Sequence, residues 1–178
     1  ESDLIGAREI PAEALYGVQT LRGIENFSIS KFRLSEYPLF IKGLAITKMA
    51  AAMANFELGL LTVEQKDAII AACGEILDGK HHDQFPVDMI QGGAGTTTNM
   101  NANEVIANRA LELMGHERGE YQYCSPNDHV NCSQSTNDAY PTAIHIGMYF
   151  KHLQLLPHLE ELIASFRKKG EEFSQIIK

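Results

Sequence analysis

The chain has no tryptophan, only three cysteines among 178 residues and no long uninterrupted apolar run. The cysteines are Cys73, Cys124 and Cys132, and no two of them have the C-x-x-C spacing of a zinc or thiol–disulfide motif. Their odd number and spacing favour a reducing compartment, so we expect a cytoplasmic protein. Lys48 interrupts the most apolar stretch, residues 44–56, which is shorter than the roughly 18 apolar residues of a membrane span.

Basic residues are also scarce, because 15 Lys and Arg stand against 23 Asp and Glu and give a formal net charge of −8. The sequence has no basic block, which argues against a nucleic-acid partner and against a polybasic membrane patch. The content of 44% hydrophobic and 21% charged residues is typical of a globular domain with a proper core. Residues 1–6 lack the basic and apolar regions of a signal peptide.

The sequence does contain a series of helix signals, whereas alternating strand patterns are nearly absent. Residues 1–35 predict an irregular lead-in with short elements. Three helices are then predicted, at about Pro38–Leu58, Thr62–Asp78 and Asn99–Met114. The second begins with a capping-box pattern, and Ser35 is a candidate cap just upstream of the first.

A much longer helix is predicted from about Asn137 to the end of the chain. Its apolar positions repeat with heptad spacing and form a seam: Met148, Leu155, Leu159, Leu162, Phe166 and Phe173. A helix of about 35 residues is about 50 Å long, and Pro157 is expected to kink it. So long a seam needs partner helices of similar length, which we expect from other subunits and from further chain beyond Lys178.

Two segments place glycines or hydroxyl residues directly before a predicted helix. The first is Gln-Gly-Gly-Ala-Gly-Thr-Thr-Thr-Asn-Met-Asn at 91–101, and the second is Gln-Ser-Thr-Asn-Asp at 134–138. Glycines let the backbone approach a ligand, and a helix start presents N–H groups and the positive end of the helix dipole. Each segment alone is better explained by ordinary capping. Together they indicate a ligand with two acidic groups, such as a small dicarboxylate.

The third predicted helix is unusually rich in asparagine, at Asn99, Asn101, Asn103 and Asn108. Asparagine is a poor residue for a helix interior because its side chain competes for the backbone. Either these side chains satisfy buried loop backbone, or those on one face, Asn99 and Asn103 together with Glu104, belong to a site. The seven histidines show no zinc-binding spacing, and no metal site is predicted.

Residues 92–105, Gly-Gly-Ala-Gly-Thr-Thr-Thr-Asn-Met-Asn-Ala-Asn-Glu-Val, closely resemble a motif of the aspartase/fumarase superfamily. The resemblance extends over essentially the whole chain, through further segments at residues 11–17, 83–88, 125–131 and 134–142. It implies a mainly α fold, in which residues 1–138 form a mostly helical N-terminal domain. Residues 139–178 would then be the first long helix of a central bundle, which oligomerisation completes.

Within the superfamily, Gly-Glu-Tyr-Gln-Tyr at 119–123 and the triplet Ser-Thr-Asn at 135–137 are most similar to aspartases. Class II fumarases tend to have Ser-Ser-Asn in the triplet, and a His where this chain has Ser125. The resemblance therefore implies a carbon–nitrogen lyase that reversibly eliminates ammonia from L-aspartate and gives fumarate. The alternatives are a class II fumarate hydratase or another lyase of the superfamily, and a non-catalytic helical assembly of the same fold.

The resemblance also implies roles for individual residues. The β-carboxylate of the substrate would be bound by Thr96, Ser135 and Thr136, and its amino group by Asn137. A secondary-site loop would contain Ser125, Asn127 and Asp128. The proton-abstracting base would lie beyond Lys178, so we expect this span by itself to contain no catalytic residue and to be inactive.

The resemblance further implies that the protein acts as a homotetramer whose active sites are shared between subunits. It requires no cofactor, and it leaves activation by a divalent metal open. The expected partners are therefore a small dicarboxylate and other copies of the chain, with neither nucleic acid nor membrane.

Overall fold

Five α-helices carry the fold in the computed structural model, which describes residues 1–177. They are α1 (Val18–Asn26), α2 (Pro38–Glu57), α3 (Val63–Leu77), α4 (Thr96–Leu113) and α5 (Thr136–Glu172). Within these residues the only strands are the antiparallel pair β1 (Ser2–Asp3) and β2 (Gly6–Ala7). Shorter helical turns lie at Leu34–Glu36, His82–Gln84 and Pro126–Val130. The mainly α fold and the irregular lead-in are confirmed.

The predicted helices are confirmed, with small shifts at their ends. The capping box of α3 is present, because the Thr62 hydroxyl accepts from the Gln65 N–H at 3.2 Å and the Gln65 Oε1 accepts from the Thr62 N–H at 3.1 Å. Helix α4 begins at Thr96, three residues earlier than predicted. Helix α5 ends at Glu172 rather than at the end of the chain, and Lys178 lies outside the described residues.

The predicted cap of α2 is wrong. Ser35 lies in the short helical turn Leu34–Glu36, where its N–H donates to the Phe85 carbonyl. The N-cap of α2 is Tyr37, and no side chain bonds to the helix start. Pro38 is the first helical residue and has no N–H, so the helix start has one donor fewer to satisfy.

Helix α2 is the centre of the packing, because it contacts α3 on one side and α5 on another, while α3 packs against α4. Branched side chains such as Ile41, Leu44, Ile69 and Ile106 fill the space between these helices. Among the described residues, α2 is the one helix long and apolar enough to cross a membrane by length and composition alone. Its contacts on two sides and the fully buried Lys48 are typical of a core helix.

The contact between α2 and α5 depends on two glycines. A Cβ atom added to Gly43 would lie 2.2 Å from the Ala143 carbonyl oxygen, and one added to Gly147 would lie 3.1 Å from the Leu39 carbonyl oxygen. Neither position has room for a larger side chain unless the helices separate. The first three turns of α5 are therefore packed closely against α2.

Beyond this contact, α5 extends away from the rest of the described chain. The helix continues through Pro157 to Glu172, and every residue from 151 to 177 is exposed. All six residues of the heptad seam are exposed, and none is covered by residues 1–177. The prediction that partners for this seam do not come from the chain itself is confirmed for the part that the structure describes.

Candidate functional site

The glycine-rich segment shapes the start of α4. Gly93 and Gly95 have positive φ angles of 70° and 85°, and a Cβ atom at Gly95 would lie 2.3 Å from the ring of Tyr140. Gly95 is the N-cap of α4 and has no side chain that could cap the helix. Gln91 does so instead, because its Oε1 accepts from the Thr98 N–H at 2.8 Å and its Nε2 donates to the Thr98 hydroxyl at 2.7 Å.

The second hydroxyl-rich segment forms the start of α5. Ser135 is the N-cap, and its Oγ accepts from the Asn137 N–H at 3.2 Å. Thr136 is the first helical residue and is half-buried, whereas Ser135 and Asn137 are exposed. The Thr136 hydroxyl accepts from the Asn99 Nδ2 of α4 at 3.2 Å. This bond joins the starts of the two helices.

A cavity of about 470 Å³ lies where the two segments meet. Asn137 lines it from α5, and Gly93, Ala94 and Gly95 line it from the glycine-rich segment. Tyr140 also lines it, and burial raises the pKa of this phenol. Thr96 is exposed at the first position of α4, directly after this lining. The structure thus brings together both segments in which the sequence patterns predict anion-binding groups.

The secondary-site loop lies at a different place. Ser125, Asn127 and Asp128 belong to the turn around Pro126–Val130, where the Ser125 Oγ accepts from the Asp128 N–H at 3.1 Å. Asn127 lines another cavity, of about 580 Å³, next to the N-terminal strands. The structure does not bring Asn127 to the cavity lined by Asn137.

His129 follows these loop residues and holds the same turn. Its Nδ1 accepts from the Ser125 N–H at 2.7 Å. Burial lowers the pKa of the imidazole, although Asp128 acts in the opposite direction. A neutral ring that accepts at Nδ1 is therefore the form that fits this turn.

Lys48 lies close to these residues and is not among those that the sequence patterns predict for the site. It is fully buried in the middle of α2, and its Nζ donates to three amide oxygens. These are the Asn99 Oδ1 at 2.7 Å, the Asn131 Oδ1 at 2.9 Å and the Gln134 Oε1 at 3.0 Å. We call these four residues the Lys48 cluster. The sequence signal that could have revealed it is a single lysine inside the most apolar stretch.

The geometry of the Lys48 cluster fits a protonated amine, because an ammonium has three protons and three oxygens surround it. Burial lowers the pKa of Lys48 to about 7, and the nearby Cys73 acts weakly in the opposite direction. Cys73 supplies no negative charge, because burial raises the pKa of its thiol to about 12. The contacts of the ammonium are therefore all to neutral amides.

The asparagines of α4 divide between the two interpretations that the sequence leaves open. Asn99 belongs to the Lys48 cluster, and both Asn99 and Asn103 donate to the Asn131 Oδ1, at 3.0 and 3.2 Å. The other two satisfy loop backbone. Asn101 donates to the Gln84 carbonyl at 3.0 Å, and Asn108 donates to the Leu15 carbonyl at 2.8 Å.

Glu104 has a structural role instead of a place in the site. Its buried carboxylate accepts from the backbone N–H groups of Gly17, Gln19 and Thr20, at 2.8–3.0 Å, and from the Thr20 hydroxyl at 2.6 Å. Burial raises the pKa of this carboxyl, and the four donors oppose that rise. The carboxylate thereby fixes the start of α1 against α4.

Metal ligands are not grouped in the part of the chain that the structure describes. Within residues 1–177, no three His, Cys, Asp or Glu side chains are placed so that they could hold a metal ion. The three cysteines are free, and two of them are buried. The polar side chains that line the cavity are the amides of Gln91 and Asn137 and the phenol of Tyr140.

These features define a mainly helical protein with a cavity of about 470 Å³ between two helix starts. A family model described as "Lyase" matches residues 6–178, and the chain belongs to this family.

Curated and solved relatives agree with this assignment. Aspartate ammonia-lyase of Pseudomonas canavaninivorans is 58% identical over 178 residues, which are 100% of this chain and 38% of that protein. The crystal structure of a fumarate lyase:delta crystallin from Brucella melitensis matches with a TM-score of 0.94 and 52% identity, over 97% of this chain and 39% of that one.

A class II fumarase from Schistosoma mansoni matches with a TM-score of 0.89 and 38% identity, over 99% of this chain and 37% of that one. The chain thus spans less than two fifths of the length of these relatives. The resemblance to the aspartase/fumarase superfamily is confirmed, and it is stronger toward a curated aspartase than toward this fumarase.

Proposed function

We propose that the chain is the N-terminal part of an aspartate ammonia-lyase, which reversibly eliminates ammonia from L-aspartate and gives fumarate. The observation that carries the proposal is the meeting of the glycine-rich and hydroxyl-rich helix starts around one cavity. These are the segments where the resemblance places the groups that bind substrate. The identity of 58% to a curated aspartate ammonia-lyase supports the choice of substrate.

The main requirement of the reaction is stabilisation of the negative charge that develops on the substrate. A base removes the proton from the carbon next to the β-carboxylate, and the electron pair moves into that carboxylate, which becomes a doubly charged aci-carboxylate. The C–N bond on the neighbouring carbon then breaks in the anti orientation and ammonia leaves. Preorganised donors aimed at the carboxylate oxygens lower the barrier to the first step. We assign this task to Thr96, Ser135 and Thr136, and the binding of the amino group to Asn137.

Two hydroxyls at the start of α5 are suited to this task by their own hydrogen bonds. The Thr136 Oγ1 accepts from Asn99, and the Ser135 Oγ accepts from the Asn137 N–H. A hydroxyl that accepts in this way still has its proton to donate to a ligand. Both hydroxyls also lie at the positive end of a 37-residue helix, which favours a bound anion.

The base and the quaternary structure come from outside the described residues in this proposal. The resemblance places the base beyond Lys178, so we infer that residues 1–178 by themselves do not turn over substrate. A homotetramer with active sites shared between subunits would supply partner helices for the exposed seam of α5. This assembly would bring groups of neighbouring subunits to the cavity at the start of the same helix.

The substrate is tested with the whole purified protein, by following fumarate through its ultraviolet absorbance. We expect product from L-aspartate and none from L-malate. Product from L-malate alone would contradict the proposal and identify a class II fumarate hydratase, the second candidate, which the 38% identity to such an enzyme favours. No product from either substrate would indicate a non-catalytic assembly of the same fold.

The site is tested by Thr136→Val, which removes the hydroxyl and keeps the shape of the side chain. Loss of one donor to the developing charge should lower kcat/KM for L-aspartate by about 10²–10³-fold. Thr142→Val is the matched control, because Thr142 is exposed on the same helix and lies six residues further along it. We expect the control to keep its activity, and an undiminished kcat/KM in Thr136→Val would show that the site is misplaced.

A further inference from the structure

A charged side chain lies behind the proposed site and is used by nothing in the proposed reaction. Lys48 is fully buried, yet among the described residues its nitrogen contacts amides and no carboxylate. Burying an ammonium without a counter-charge is unfavourable, and methionine would fill the same space without that penalty. A buried cation of this kind indicates that its charge serves a purpose other than the packing of α2.

The Lys48 cluster connects both helix starts of the site. Asn99 belongs to the first turn of α4, and Asn131 and Gln134 lie in the segment that leads into α5. One ammonium holds an oxygen from each of the three side chains at 2.7–3.0 Å. The spacing between the two helix starts is therefore fixed by Lys48 from the side opposite to solvent.

The cluster also leads directly to a ligand-binding hydroxyl. Lys48 donates to the Asn99 Oδ1, and the Nδ2 of the same amide donates to the Thr136 Oγ1. An amide that accepts a charged hydrogen bond becomes a better donor, and a hydroxyl that accepts from it becomes a better donor in turn. The hydrogen bonds thus run in one direction, from the ammonium through Asn99 to Thr136, and leave the hydroxyl proton for an anion.

We propose that Lys48 is a positioning residue for the dicarboxylate site, which acts through Asn99 to orient and polarise the Thr136 hydroxyl. The inference rests on the proposed function, because it takes a dicarboxylate as the ligand. In this arrangement the bound dianion is the counter-charge that the buried ammonium lacks among the described residues. The charge on Lys48 then contributes most when the β-carboxylate becomes doubly negative.

The first test is Lys48→Met in the whole protein, combined with Thr136→Val in a double-mutant cycle. Lys48→Met alone should lower kcat/KM for L-aspartate at least 100-fold and weaken succinate binding at least tenfold. In the Thr136→Val background the same change should cost less than about tenfold in kcat/KM, because the hydroxyl through which Lys48 acts is absent. A structural role predicts that the two losses multiply, and that result would overturn the proposal.

A second variant keeps the proposal testable if Lys48→Met does not fold. Asn99→Asp preserves the shape of the side chain and an acceptor for Lys48, but it cannot donate to Thr136 and adds a negative charge beside the ligand. We expect kcat/KM to fall at least 100-fold in a protein that still folds. Asn108→Asp is the matched control, on the same helix about 14 Å further along its axis. Equal activity in the two folded variants would overturn the proposal.

Succinate affinity, measured by calorimetry, separates this inference from the proposed function. Wild-type protein that binds succinate but makes no fumarate from L-aspartate would refute the proposed function, and the Lys48→Met affinity would still decide the role of Lys48. Active wild-type protein with an unaltered Lys48→Met variant would refute the inference alone. Wild-type protein that neither binds succinate nor makes fumarate would refute both.

Discussion

The two ends of helix α5 differ sharply in their surroundings. Its first three turns lie against α2, where Ala139, Ala143 and Gly147 are buried and small enough for the two backbones to approach closely. From residue 151 onward the same helix is exposed on all sides, although large apolar side chains repeat along it with heptad spacing. One continuous helix thus has one part that the chain itself covers and another that it leaves open.

Residue size distinguishes the part of α5 that packs within the chain from the part that we expect other subunits to contact. Small residues are found where α5 meets α2, because the distance between these helices is already short. Leucine and phenylalanine are found where no described part of the chain covers α5, because large side chains fill the space between helices in a bundle. An apolar seam of this length in contact with water is unfavourable, which supports the proposal that other subunits cover it.

We expect the largest effect from Leu162→Glu, which places a charge on the heptad seam of the whole protein. Burial of a leucine contributes about 1.5–3 kcal/mol, and a buried unpaired carboxylate adds a further penalty. Because the change recurs in every subunit, we expect the assembly to dissociate, with a lower mass in analytical ultracentrifugation. Ala164→Glu adds the same charge on the opposite face of the helix and should leave the mass unchanged. A native mass for Leu162→Glu would mean that the seam is not an interface.

A smaller effect is expected from Gly43→Ala, which tests the covered end of α5. The new methyl group would overlap the Ala143 carbonyl oxygen, and overpacking of this kind costs about 1–3 kcal/mol. The matched control is Gly74→Ala on α3, where an added Cβ atom has nothing within 4 Å. There the gain in helix propensity should stabilise the protein by about 0.5–1 kcal/mol. Thermal unfolding should therefore move in opposite directions, and parallel shifts would contradict the close packing of α2 and α5.

Much of this fold can be predicted from local sequence, because the helix boundaries depend on nearby residues. The capping box at Thr62 and the proline at the start of α2 act within one turn of the helix that they begin. The cap assigned to Ser35 failed for a different reason. Its backbone bonds to Phe85, fifty residues away, and no local pattern reports such a contact.

The site was predictable in part for a related reason. The hydroxyl and glycine residues before α4 and α5 are recognisable in the sequence, and the structure brings these two segments together. Lys48 was not identified, because its partners lie 51, 83 and 86 residues away and a lone lysine in an apolar stretch has no sequence pattern of its own. Large separations in sequence also explain why the sequence alone does not decide the roles of the four asparagines.

We expect the smallest effect from the loss of an ion pair between α3 and α4, compared with the loss of one on the exposed part of α5. Arg109 holds Glu75 through two hydrogen bonds of 2.6 and 2.9 Å, and this holds the pKa of the carboxyl at about 2, well below its usual 4.5. Glu75→Gln should therefore lower the free energy of unfolding by about 1–2 kcal/mol at neutral pH. Urea unfolding of the whole protein measures the difference.

The pH dependence of that difference has a definite sign. The carboxyl of Glu75 has a lower pKa in the folded protein than in the unfolded chain, so its contribution is complete above pH 4.5. The contribution is lost as the pH falls from 4.5 toward 2, and the difference from Glu75→Gln should shrink over the same range. Glu172→Gln is the control, because Glu172 pairs with Lys169 on the exposed part of α5 and such surface pairs contribute little. Equal losses of unfolding free energy in the two variants would show that the ion pair of Glu75 is no stronger than the one on the exposed part of α5.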